Sequence, residues 1–102
     1  MPKRSRDYTI GLRKRLTDPR YAAEYLNAAL EESDDTFLLA LRDVAESRQM
    51  SRVARTASLN REGLYRMLSE AGNPRLSSLV SVLAALGVRL TIAPAPKEPA
   101  ER

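Results

Sequence analysis

The feature that most constrains this chain is the spacing of apolar residues and breaks across residues 51–71, SRVARTASLNREGLYRMLSEA. Val53, Ala54 and Ala57 repeat at helical spacing, then Ser58-Leu59 interrupts them, and Leu64, Met67, Leu68 and Ala71 resume the pattern. Apolar residues recurring every three or four positions mark one face of a helix. Two short helices joined by a tight turn are therefore expected. Ser51 is read as the N-cap of the first and Asn60 as the N-cap of the second, since a side-chain oxygen there can accept from a free first-turn amide. Ala54 is small, as a steep helix crossing requires. On a helical wheel of 61–71, the apolar set separates from Arg61, Glu62, Tyr65, Arg66, Ser69 and Glu70.

The remainder of the chain reads as further helices around this pair. Asp18-Pro19 opens one, through a capping carboxylate and a proline at the first helical position, and it runs to about Glu32. Tyr21, Ala22, Tyr25, Leu26, Ala29 and Leu30 form its apolar face. Ser33-Asp34-Asp35 breaks and recaps the chain, and a second helix follows from about Thr36 to Arg48. Gly72-Asn73-Pro74 stops the second helix of the pair, because glycine suits a left-handed C-cap and proline cannot continue a helix. A last helix is expected from about Ser77 to Leu86, burying Leu79, Val80, Leu83 and Leu86 and ending at Gly87. Val88-Arg89-Leu90-Thr91-Ile92 alternates apolar and polar, as a half-buried β-strand does. Such a strand needs a partner, either residues 8–10, a second copy or another protein. The expected fold class is all-α, a five-helix helix–turn–helix domain with a short C-terminal β-strand. Residues 1–16 form a basic N-terminal arm, 17–93 the domain, and 94–102 a disordered tail.

Charge is unevenly placed. Residues 1–16 hold six basic groups and one acidic, 17–48 hold three basic and eight acidic, and 49–75 hold five basic and two acidic. A basic block suits a polyanion, and an acidic one suits a basic protein. With no cysteine and no histidine, disulfides, ordinary Cys/His zinc sites and Ser–His or Cys–His catalysis are excluded. The chain is not expected to be an enzyme, and no cofactor is expected. No apolar run reaches the ~18 residues of a membrane span, so a soluble, cytoplasmic protein is expected.

The runs YLNAALEE, NREGLYRMLS and GNPRLSSL, within 18–92, resemble the antidote proteins (antitoxins) of bacterial toxin–antitoxin addiction modules. More broadly they are similar to phage-repressor-type helix–turn–helix regulators. The resemblance implies an all-helical domain that binds double-stranded DNA and represses its own operon. A homodimer on a palindromic operator is expected beside it, since the lone strand could pair with its copy and palindromic sites mirror dimers. It also implies neutralisation of a cognate toxin protein, typically a RelE-like ribonuclease. Carried over by position, Arg61, Glu62 and Arg66 read bases. Arginine can grip guanine through two acceptors, and glutamate can accept from the cytosine amine. Gly63 lets the backbone approach DNA. Ser51, Arg52, Arg55, Asn60 and Arg75 serve phosphates, and Tyr65 either donates to a phosphate or packs inward. The chain departs from the family at Ser58, where glycine is usual, and at Asn60, where serine or threonine is usual. Two other readings remain open, a free-standing regulator without a toxin and an adaptor whose motif only packs.

Overall fold

A computed structural model describes residues 6–69 and 72–96. Six helices follow one another: α1 (Arg6–Leu16), α2 (Pro19–Glu32), α3 (Asp34–Ser47), α4 (Met50–Thr56), α5 (Arg61–Met67) and α6 (Leu76–Ala85). Among the described residues there is no β-strand, and no helix is long and apolar enough to cross a membrane.

The centre is the hairpin of α2 and α3, which run antiparallel against each other. Its start is local chemistry, as expected: Asp18 Oδ1 accepts from the Arg20 amide at 3.0 Å, and Pro19 occupies the first turn. Its turn is a single residue. Ser33 ends α2 by donating its amide to the Ala29 carbonyl (3.2 Å), and starts α3 by accepting the Thr36 amide on Oγ (3.0 Å). Helix α3 thus begins at Asp34, two residues before the position expected, and gains two acids in its first turn, where the helix dipole favours them. Leu26, Leu38, Leu41, Val44 and Ala45 fill the interface, and the Tyr25 hydroxyl donates to Asp43 Oδ2 at 2.7 Å. Leu30, expected on the apolar face, is exposed.

Two expectations fail at the chain's ends. Residues 6–16, read as part of an arm with strand propensity at 8–10, form α1, which packs on α3 and α2. Leu12 and Leu16, one helical turn apart, are fully buried there, and burial of two leucines outweighs the weak strand preference of Tyr8-Thr9-Ile10. The Arg48 guanidinium donates to the Leu16 carbonyl (3.2 Å), satisfying the open end of α1. Residues 1–5 of the arm lie outside the described residues.

The expected strand at 88–92 is irregular instead. Its beginning is anchored, since Gly87 takes φ +83° and the Val88 amide donates to the Leu83 carbonyl at 3.0 Å. Beyond that there is no ladder, because residues 8–10, its partner candidate within the chain, are helical. Helix α6 buries Val82, Leu83 and Leu86, while Val80, expected inside, is exposed. The tail read at 94–102 is described only to residue 96.

Candidate nucleic-acid interface

Helices α4 and α5 pack against each other, with α3 behind α4 and α6 bracing it. Met50, Val53, Ala54 and Ala57 from the first, and Leu64 and Leu68 from the second, are buried in the common core. Ala54, the small residue at the crossing, is 2% exposed and its carbonyl accepts from the Leu59 amide at 2.8 Å. Met67 is half-buried beside them, and Ala71 and Glu70 lie outside the described residues.

The turn between the helices is strained. Ser58 takes φ +62°, the left-handed region that costs a residue with a Cβ roughly 1–2 kcal/mol. This is the position where glycine is usual in the family resembled. The serine keeps the glycine conformation and bears its cost, held by its amide to the Arg55 carbonyl at 3.1 Å. Asn60 then caps α5 as expected, its Oδ1 accepting from the Gly63 amide at 2.6 Å. A Cβ at Gly63 would meet that same Oδ1 at 3.0 Å, so the glycine leaves room for its own helix cap. Gly72 is constrained by closer approach, for a Cβ there would lie 2.2 Å from the Met67 carbonyl oxygen.

Helix α4 begins one residue early. Met50 is its first residue and is buried, so Ser51 lies inside the first turn, exposed, and is not the N-cap. Gln49 holds the cap position at φ +73° with no side-chain cap bond. Here the core demand of Met50 decided the boundary, which a cap-based reading could not see.

Most of the remaining candidates are exposed on the pair. Arg52 and Arg55 on α4, and Arg61, Glu62 and Arg66 on α5, are exposed. Arg75, at the N-cap of α6, is also exposed, and with Arg66 it lines a groove of about 450 Å³ beneath α5. Tyr65 takes part in the packing. Its ring is half-buried against the core and lies between two guanidiniums, Arg42 at 5.2 Å and Arg61 at 5.5 Å from the ring centre. Cation–π contacts of this kind contribute about 0.5–1 kcal/mol at exposed sites, enough to bias the rotamer of Arg61 at the helix start.

Two arginines of the preceding helix region lie near α4 and α5, unannounced by the sequence. Arg42 belongs to the acidic block, yet it reaches Tyr65 while its Nε donates to Glu46 at 3.3 Å. Arg48 and Arg52 line a second cleft of about 450 Å³ beside the start of α4, with Thr17, Gln49 and Thr56. The Arg48 Nε is buried there without a partner among the described residues. The acids divide into two groups. Asp43 and Glu46 are engaged, by Tyr25 and by Arg42 with Arg13 at 4.0 Å, whereas Glu24, Glu31, Glu32, Asp34 and Asp35 are exposed on α2 and the α2–α3 turn. Exposed arginines thus lie on α4 and α5 and exposed acids on α2 and its turn, and the two sets approach each other at residues 72–74, which border both Arg66 and Asp34–Asp35.

Sequence similarity to a known protein extends along nearly the whole chain. An uncharacterised protein of Haemophilus influenzae (strain ATCC 51907 / DSM 11121 / KW20 / Rd) is 36% identical over 93 residues, covering 90% of this chain and 94% of that protein. No solved structure matches the chain. The family described as probable addiction module antidote protein matches residues 8–94, from within α1 to beyond α6. The chain belongs to that family of probable addiction module antidote proteins.

Proposed function

We propose that this antidote-family chain is a helix–turn–helix antitoxin that binds operator DNA through α5, autorepresses its operon as a dimer, and neutralises a small RelE-like ribonuclease toxin by direct contact. The observation that carries the DNA part is the α4–α5 unit itself. A left-handed turn residue and a side-chain-capped second helix place Arg61, Glu62 and Arg66 outward over a buried Leu64 and Leu68. A helix so docked can enter a major groove, where arginine reads guanine and glutamate reads cytosine. Arg52, Arg55 and Arg75 then neutralise flanking phosphates, which positions the helix without reading sequence. Gly63 serves the cap geometry and keeps the first turn slim. The family supports a regulatory and not a catalytic role, and supports a toxin partner. The exposed acids of α2 and the α2–α3 turn suit a basic protein of that kind.

The test is operator binding measured by fluorescence anisotropy on the module's own promoter. Arg61→Ala is expected to cost about 1–3 kcal/mol and to relax preference at one base position. Binding and base preference that survive Arg61→Ala and Arg66→Ala together would remove α5 as the reading helix. Capture of the neighbouring gene product that weakens with salt, and weakens further on neutralising Glu31, Glu32, Asp34 and Asp35, tests the toxin side. A toxin complex insensitive to both would place the contact elsewhere.

A further inference from the structure

We propose that residues 88–92 are the dimer seam, pairing antiparallel with the same segment of a second copy about a two-fold axis at Leu90. This deepens the dimer named in the reading above and rests on it. Three observations carry it.

The segment has nothing to bond. Among the described residues, no backbone hydrogen bond involves 89–92, although the chain is anchored just before, at the Val88 amide. Unpaired backbone groups on an alternating apolar–polar segment are a template for another chain. Its apolar side chains are also uncovered in a graded way. Val88 is half-buried against the core, Leu90 is 44% exposed and Ile92 is 94% exposed. Leu90 and the exposed Leu30 share the walls of two grooves running between α2, the start of α3 and α6.

The occupant follows from register. An antiparallel pair centred on Leu90 sets Leu90 opposite Leu90, Val88 opposite Ile92, and Arg89 opposite Thr91. Apolar residues meet apolar ones on one face, and no charge meets its like. The bare Ile92 of each copy lands beside the half-buried Val88 of the other, at the edge of its core. A parallel pair in register would instead oppose Arg89 with Arg89, which is unfavourable. The segment is thus complementary to itself in one orientation only. Because α6 packs on α4, and Val88 is tied to α6, the seam also holds the two α5 helices at a defined separation. Half-sites about one helical turn apart demand that.

The chain has no cysteine, so single cysteines report the register without background. In the full-length protein, Leu90→Cys is expected to form a disulfide-linked dimer under mild oxidation, since directly opposed residues lie about 4.5–5.5 Å apart between Cα atoms, within disulfide reach. Arg89→Cys alone and Thr91→Cys alone should cross-link poorly, while an equimolar mixture of the two should give the mixed dimer. Ile92→Lys, at a position too exposed to matter for folding, should leave the melting temperature of the protomer unchanged and weaken the sedimentation-measured dimer constant by roughly tenfold or more. A dimer that forms without Leu90→Cys cross-linking, or a wild-type chain that sediments as a monomer at tens of micromolar, overturns the proposal. Gel shift of a single half-site on the same samples separates the two ideas. A monomer that still recognises the half-site keeps the DNA reading and loses only the seam.

Discussion

Ser58 and Asn60 sit two residues apart and do opposite things to the free energy of the α4–α5 turn. Asn60 satisfies an otherwise open amide of α5, a cap worth about 1 kcal/mol. Ser58 holds φ +62° against the clash of its own Cβ. Replacing it with glycine removes that clash, offset in part by the greater freedom of glycine in the unfolded chain. Ser58→Gly is therefore expected to stabilise the protein by roughly 0.5–1 kcal/mol, read as a rise of a few degrees in melting temperature by calorimetry. A loss of stability would mean that the serine hydroxyl makes a contact worth more than the strain. Gln49, at φ +73° before α4, carries the same kind of strain, and nothing in its residue type announces it. The departure from glycine at Ser58 was legible because the turn's position follows from its neighbours. The strain at Gln49 has no such local signal and accompanies the burial of Met50 beside it.

At the scale of elements, α1 is the clearest addition to what periodicity showed. Its stretch is short and basic, with Leu12 and Leu16 as its buried anchors. Short helices are marginal in isolation, so the decision rests on what the two leucines meet. They meet α3, and the carbonyl of Leu16 meets Arg48. Leu16→Ala is expected to cost about 2–5 kcal/mol in urea unfolding, the range for a fully buried leucine. A free arm would lose no more than ~0.5 kcal/mol on the same substitution, so the two descriptions separate cleanly. The 88–92 segment shows the converse. Its alternation was plain in the sequence, but an alternating pattern cannot supply the neighbouring strand that makes it a sheet.

For the molecule as a whole, the organising fact is that opposite charges occupy different elements, exposed arginines on α4–α5 and exposed acids on α2 and its turn. If the α4–α5 arginines take DNA phosphates, affinity must fall with salt, by close to one unit of log K per unit of log salt for each phosphate neutralised. Arg52→Ala with Arg55→Ala is expected to flatten that slope by about two per protomer while leaving base preference intact. Anisotropy titrations across a salt series measure it, and an unaltered slope would take both arginines out of the interface.

The sequence by itself determined where the chain is capped wherever the signal is a side chain reaching its own backbone within four residues. Asp18 on the Arg20 amide, Ser33 on that of Thr36 and Asn60 on that of Gly63 are of this kind. It determined the buried side of α5 too, since Leu64 and Leu68 share a face by helical geometry alone. Tertiary structure decided everything that depends on a neighbour distant in the chain. It turned 6–16 into a core helix, moved the start of α4 to place Met50 inside, drew Arg42 across to Tyr65 and left the backbone of 89–92 without a partner among the described residues. Local capping is written in adjacent residues, whereas burial is settled only when remote segments compete for the same core.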